Sequence, residues 1–406
     1  MATTQDMQRI PIFVGQTPEE TAWPWIDNNE QSTWLDLSNL YGTTPEILSY
    51  IRNQSHPCKL RLDKNGNLLR ENGKLVTGDQ RAGQSPYLIG WHMLFTKEHN
   101  WQCDILAQKF PSMDADVLFY RAREATILVF QKFLVNEYVP GYSGEGRFRY
   151  LLSDRSMDYF IAEKNIKSSN LFNILYRLHT MIPDTIKIID ARGILVDTYS
   201  IDQVYYNTTL MTKYGLDALL RGSMWTPAYR YGRGYPTAMT TSRFNLCEID
   251  FIRARERELG SYINTRKMYA SNPTMSFYDP SVDWTRQLTE WSNFTSVPAI
   301  QNALEELYGN VENVELLAGA YLDNESEAAS FGGIAYAVLL EEANTVIRGD
   351  RWSILNFDTA PRDFDWQNQL ISTSYSRNIY DFVKQHTGMP CLPLDVMRVG
   401  EGQLVC

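Results

Sequence analysis

Tyr176 and His179 stand three residues apart in the segment Leu171-Phe-Asn-Ile-Leu-Tyr-Arg-Leu-His-Thr-Met-Ile-Pro-Asp184. On a helix that spacing places two side chains over adjacent turns of one side. A neutral imidazole on a buried helix is the axial ligand that a haem iron takes. A phenol one turn away would lie over the same macrocycle edge, within range for the oxidised group to take its hydrogen atom. On spacing alone the same pattern reads more readily as a core histidine hydrogen-bonded to a backbone carbonyl.

The elements that must position this pair are mostly helical. The segment itself reads as a helix over 168–182, stopped by Pro183, with Leu171, Ile174, Leu175, Leu178 and Ile182 on one apolar stripe and Phe172, Tyr176 and His179 on its neighbour. A helix apolar on two sides belongs in a core. Upstream, apolar residues recur at three- and four-residue steps over 88–110, ended by Pro111, and a second helix spans 114–139, ended before Pro140-Gly141. Further helices read at 204–222, 247–268, 298–308 and 327–347. Glycines and prolines such as Gly232, Gly234, Pro273, Pro280 and Gly349 mark the joints. Two short hairpins interrupt them, over 59–69 turning at Asn65-Gly66 and over 186–196 turning at Ala191-Arg192-Gly193. The first thirty residues read as an irregular polar arm. Residues 31–406 then form one mainly α domain.

Composition excludes several classes. The chain has 406 residues, 38 basic against 48 acidic, for a net charge of -10, with no basic run to track phosphates, so nucleic acid is not an expected partner. No apolar stretch is long enough to span a bilayer. The start, MATTQDMQRIPIFVG, lacks the features of a secretory leader. The five cysteines, at 58, 103, 247, 391 and 406, are odd in number and widely spaced, and are read as reduced thiols in a cytoplasmic protein. The sequons at Asn53, Asn207, Asn293 and Asn324 are then read as chance.

Phe172-Asn-Ile-Leu-Tyr-Arg-Leu-His, followed three residues later by Pro183-Asp184, resembles the proximal helix of the cyclooxygenases and fatty-acid α-dioxygenases, in the animal haem peroxidase superfamily. Other blocks follow in the same order. Gly78-Asp-Gln-Arg81 resembles the GDxR before a long helix, and Leu94-Phe-Thr-Lys-Glu-His-Asn100 resembles a signature in which the histidine, here His99, is structural. Arg253-Ala-Arg-Glu-Arg257 with Tyr262-x-Asn-x-Arg266 is similar to a block of the α-dioxygenases, its asparagine displaced by one position, and Glu305-Glu-Leu-Tyr-Gly309 resembles a late helix of the cyclooxygenases.

The resemblance implies a haem peroxidase-like helical fold with haem b on His179, Asn173 within the same cofactor-side motif, and Tyr176 as the radical that takes a hydrogen from a fatty-acid or other lipid substrate. It puts Arg81 near the haem as a catalytic group and the 253–257 charges in internal salt bridges behind the proximal side. Asp250 falls near an asparagine that bonds the proximal imidazole in peroxidases; a carboxylate there would lower the iron's potential. Ser32, Trp34 through its carbonyl, Asp36 and Ser38 match a loop that supplies oxygen ligands to calcium. Asp36 and Ser38 read equally as a turn cap.

One part of the family pattern is missing. The family's distal histidine precedes the segment matching 32–42, and the roughly thirty residues before it here hold no histidine. Either the sequence is a fragment, or Arg81 or Gln84 supplies the distal chemistry, or the chain is a catalytically silent module acting through a homo-oligomer or a protein partner. A lipid oxygenase is the first expectation and the silent module the alternative.

Overall fold

The computed structural model describes residues 32–143, 166, 168–232, 234–241, 245–271, 283–323, 331–350, 353, 376–393, 395–397 and 404–405. The expected arm at 1–30, Pro273, Pro280, Asn324 and Cys406 lie outside the described residues. The elements that position the site are helices α1 (Pro86–Lys109), α2 (Ala115–Phe133), α3 (Asn170–Leu175), α4 (Thr209–Met224), α5 (Leu246–Glu256), α6 (Tyr262–Ala270), α7 (Pro298–Tyr308), α8 (Leu316–Leu322), α9 (Gly333–Gly349) and α10 (Ile379–His386), with strands β1 (Arg70–Glu71), β2 (Lys74–Leu75), β3 (Thr185–Ile189) and β4 (Leu195–Ser200).

Helix α1 begins where its sequence asks it to. Ser85 Oγ accepts the Leu88 N–H at 3.1 Å, and Pro86 occupies the first turn, where its missing N–H is no loss. Over roughly 36 Å it buries apolar Ile89, Met93 and Leu94 together with polar Glu98, His99 and Gln102, which makes it the central post of the fold. The buried polar groups are all answered. Glu98 takes Arg377 Nη2 at 2.5 Å and His386 Nε2 at 2.6 Å, tying α10 to the post, and His99 lies between the Tyr41 hydroxyl at 3.0 Å and the Cys58 carbonyl at 2.9 Å.

Asp114 opens α2 by accepting the N–H groups of Asp116 and Val117. The run does not stop before Pro140 as expected. A π turn over Leu134–Tyr138 leads into a further helical turn, Val139–Ser143, and this widened turn lies just before Pro140, whose ring and missing N–H disrupt a regular helix.

Strands β3 and β4 pair antiparallel from Thr185↔Ser200 to Ile188↔Asp197, as the 186–196 reading expects. The other hairpin is displaced. Around Asn65-Gly66 only Leu62↔Leu68 bridges, because the Asp63 carboxylate captures the N–H groups of Asn65 and Asn67 and competes with a ladder. The ladder forms one step later between β1 and β2, across Asn72-Gly73, both at positive φ. Helix α4 carries a kink at Gly215, φ 78°, a conformation that suits glycine.

Among the described residues three apolar cores result. One gathers α2, α3, α6, α8 and α9 around residues such as Ile174, Leu175, Tyr262 and Leu317. A second joins α1, β3, α4 and α10. A small third packs Leu37, Tyr41, Leu60 and Phe119. The mostly helical fold matches the expected class.

The cysteine reading is corrected. Cys58 and Cys103 form a disulfide, Cα atoms 6.0 Å apart, and Cys391 is disulfide-bonded as well; Cys247 is the free cysteine among the described residues. Wide sequence spacing conceals the contact. The loop ending at Leu60 folds back on α1, where Asn100 takes the Leu60 N–H at 2.7 Å and donates to its carbonyl at 3.1 Å. The bridge also removes reduced thiols as a ground for a cytoplasmic location. Among the described residues no helix is long and apolar enough to cross a membrane.

Candidate functional site

The helix expected over 168–182 is broken. Ser169 caps α3 by accepting the Phe172 N–H at 3.0 Å. The helix ends at Leu175, Arg177 turns away with ψ 89°, and a 3-10 turn, Leu178–Met181, follows. The cause lies in the segment 229–232, which crosses the chain here. Tyr231 donates its hydroxyl to the Leu175 carbonyl at 2.8 Å, Gly232 donates its N–H to Thr180 Oγ1 at 3.1 Å, and the Tyr229 N–H reaches the Met181 carbonyl at 2.8 Å. In an unbroken helix the Leu175 carbonyl would serve the His179 N–H. Tyr176 and His179 therefore do not share one helical stripe.

The break turns His179 toward α5. Its Nδ1 lies 2.6 Å from Asp250 Oδ2, and that carboxylate is fully buried. Asn245 begins α5 by accepting the Glu248 N–H at 3.2 Å and so sets the pitch of Asp250 one turn later. The same Oδ2 accepts the Tyr235 hydroxyl at 2.9 Å, and Tyr235 is hydrogen-bonded in turn to the Tyr321 hydroxyl at 2.8 Å. Burial and the Asp250 charge raise the Tyr235 pKa well above the usual phenol value. Oδ1 of Asp250 is buried with no hydrogen-bond partner and faces Arg177 Nη1 at 3.6 Å. Burial and the charges of Arg253 and Arg257 hold the Arg177 guanidinium below its usual pKa, against the pull of Asp250.

Tyr176 stacks on Phe172, centroids 4.8 Å apart, and shares a hydrogen bond with Tyr138 from the π turn. Burial and that neighbour raise the Tyr138 pKa. Asn173 is exposed and accepts Arg177 Nη2 at 3.3 Å. Arg81 lies elsewhere. Its side chain is 58% exposed and forks onto Asp79, whose carboxyl it holds low, and its contacts run to Asp79 and Tyr206. Arg255 pairs outward with Glu315 at 2.5 Å, linking α5 to the start of α8 rather than to the His179 side.

In the 32–38 loop Asp36 is engaged by its own neighbours. Oδ2 accepts Ser32 Oγ and Oδ1 accepts the Ser38 N–H, each at 2.9 Å, while the Trp34 N–H reaches Ser32 Oγ at 3.1 Å. That is the turn-capping arrangement. Among the described residues no group of three or more histidine, cysteine or acidic side chains is gathered for a metal.

The donor set at His179 suits a haem iron. Of the described histidines, His56 is on the surface, His99 has both ring nitrogens bonded, His386 serves Glu98, and burial pushes His92 down to about 4. His179 pairs one nitrogen with a buried carboxylate while its side chain stays 24% accessible, which leaves Nε2 to ligate. A carboxylate on the other nitrogen fixes the tautomer and raises basicity. Sequence reasoning did not find Tyr138, Tyr231, Tyr235 and Tyr321, which carry no spacing signal toward His179.

The fold is that of a helical, haem-peroxidase-type domain. The Animal haem peroxidase family model matches residues 5–389, and the chain belongs to that family. Prostaglandin G/H synthase 2 of Gallus gallus is 24% identical over 359 residues, covering 80% of this chain and 54% of that protein. The chain thus spans about half the length of that curated relative. Among solved structures, peroxidase A of Dictyostelium discoideum aligns with a TM-score of 0.71 at 19% identity, over 89% of this chain and 70% of the other. The fatty acid alpha-dioxygenase of Oryza sativa aligns with a TM-score of 0.72 at 18% identity, over 91% and 66%.

Proposed function

We propose that the chain binds haem b through His179 Nε2 and oxygenates a fatty-acid or similar lipid by way of a radical on Tyr176. The observation that carries this reading is the 2.6 Å contact between His179 Nδ1 and the buried Asp250, within a family whose members are haem peroxidases. Haem, oxidised by a hydroperoxide, would supply the oxidising power.

The chain's own residues do the rest. Asp250 holds the imidazole in one orientation. Phe172 and Tyr138 fix the ring and hydroxyl of Tyr176, so its phenolic hydrogen leaves from one place. The resulting phenoxyl takes a hydrogen atom from the lipid chain, restoring the phenol; dioxygen adds to the carbon radical, and the lipid peroxyl radical takes the hydrogen atom back from Tyr176, giving the hydroperoxide and renewing the phenoxyl. The α-dioxygenase and prostaglandin synthase relatives support a lipid as the hydrogen donor.

The test is a haemin titration of wild type and His179→Ala, followed by oxygen uptake with a long-chain fatty acid for wild type and Tyr176→Phe. A histidine-type Soret band lost in His179→Ala, with uptake lost in Tyr176→Phe, is expected. A wild-type chain that takes up no haemin would sink the reading. The silent-module alternative is favoured by one observation, the diversion of Arg81 to Asp79. It predicts no Soret band when haemin is added.

A further inference from the structure

We propose that Tyr235 is a second oxidisable tyrosine of this chain and that, backed by Tyr321, it draws the oxidising equivalent away from Tyr176. This rests on the haem reading above. Several described phenols meet a carboxylate, but among the described residues Tyr235 alone shares its carboxylate oxygen with His179. The rings of His179 and Tyr235 lie 6.4 Å apart between centroids. An electron leaving Tyr235 therefore has a short path to the metal side of the imidazole.

The second argument is the proton. An oxidised phenol is a strong acid, so the electron leaves readily only where a base receives the proton at the same moment. The hydroxyl of Tyr176 faces another phenol, Tyr138, which is a poor base. The hydroxyl of Tyr235 donates to a carboxylate at 2.9 Å. In the step proposed, haem held at His179 and oxidised by a hydroperoxide would supply the one-electron oxidant, and Tyr235 gives up one electron. The phenolic proton crosses to Asp250 Oδ2, leaving a neutral phenoxyl and a carboxylic acid. One electron from a phenolic or ascorbate-type reducing cosubstrate, with the proton returning from Asp250, restores the phenol.

Tyr321 completes the device. Because the one hydroxyl hydrogen of Tyr235 is committed to Asp250, the 2.8 Å bond between the two phenols is donated by Tyr321. That donor stays in place when Tyr235 becomes a phenoxyl, and it stabilises the radical oxygen. Packing holds the pair in register. Gly232, at φ 76°, lies so close to the Tyr321 backbone that a Cβ there would meet its carbonyl oxygen at 2.1 Å, so only glycine lets the chain pass at this point. Beyond Tyr321 the ring of Tyr231 follows at 5.0 Å.

The experiment is freeze-quench electron paramagnetic resonance of the haemin-loaded full chain mixed with ethyl hydroperoxide, on wild type, Tyr235→Phe, Tyr176→Phe and Tyr321→Phe. The expected result is a wild-type tyrosyl signal that falls several-fold or changes its hyperfine pattern in Tyr235→Phe and survives in Tyr176→Phe. In Tyr321→Phe the signal should remain while its g1 value rises at high field, since a hydrogen bond to the phenoxyl has been removed. That variant leaves the Tyr235–Asp250 bond intact and decides the matter if Tyr235→Phe folds poorly. A Tyr235→Phe signal superimposable on wild type, or a g1 indifferent to Tyr321, overturns the proposal while the haem reading stands. Absence of a Soret band in wild type overturns the haem reading and this proposal with it.

Discussion

Tyr231 donates its hydroxyl to the Leu175 carbonyl at 2.8 Å, and in doing so takes the acceptor that an unbroken helix would give to the His179 N–H. We expect Tyr231→Phe to cost about 1–3 kcal/mol, the range for stranding a buried polar group. It should also let the 178–181 turn relax toward helix and carry His179 away from Asp250. Urea unfolding and haemin titration check both halves. Unchanged stability together with unchanged haemin affinity would show that the hydroxyl does not cause the break.

That break marks the limit of what the residues declare. Local signals survive folding: Ser85 and Pro86 open α1 and Gly193 turns the β3–β4 hairpin, because caps and turns are settled within a few residues. The helix over 168–182 carries uninterrupted apolar spacing, yet ends at Leu175 because Tyr231, 56 residues later, competes for its backbone. The same holds for Cys58 and Cys103, which look unrelated until the loop closes on α1. Asp250 was legible through a family pattern, whereas Tyr235 reaches it from 15 residues away and Tyr321 reaches Tyr235 from 86, with no periodicity to announce them.

Asp250→Asn keeps an acceptor for His179 Nδ1 and removes the charge. If the carboxylate strengthens the imidazole as a ligand, haemin affinity falls about tenfold or more, the span seen for such supporting groups, and the ferric–ferrous midpoint potential rises. Spectroelectrochemistry and haemin competition with apomyoglobin measure the two. An unmoved potential would reduce Asp250 to a packing group.

Burial pushes both His92 and His99 down to about 4, from 6.5. Above pH 6.5 neither state binds these protons. As pH falls from about 6.5 to about 4 the unfolded chain takes them up and the native chain does not, so stability declines by up to about 1.4 kcal/mol per pH unit for each histidine. His92→Gln should shallow that slope by about half in urea midpoints recorded across the window. A slope equal to wild type would mean His92 titrates alike in both states.

The fully buried Glu98 holds α10 through Arg377 and His386. Burial raises its carboxyl pKa, but the hydrogen bonds from His386 and Arg377 prevail and keep it below the ordinary value. Its stabilisation is therefore present at neutral pH and is lost as pH falls below the unfolded carboxyl value and through the folded one. Glu98→Gln removes the buried carboxylate that both Arg377 and His386 bond and should cost about 3–5 kcal/mol, with trypsin cutting at Arg377 and Lys384 much faster than in wild type. A trypsin pattern like that of wild type would show that apolar contacts alone hold α10.

The Cys58–Cys103 bridge closes a loop across 45 residues of sequence separation, for which the chain-entropy treatment gives about 4 kcal/mol. The hydrogen bonds from His99 to the Cys58 carbonyl and from Asn100 to Leu60 do not need the bridge. They hold the loop in the reduced protein too, so Cys58→Ser should fold but melt several degrees lower, and dithiothreitol should do the same to wild type. Alkylation under native, non-reducing conditions, read by peptide mass, should mark Cys247 and spare Cys58 and Cys103. Modification of Cys58 or Cys103 there would mean the thiols stay reduced, and it would restore the compartment argument that the bridge removes.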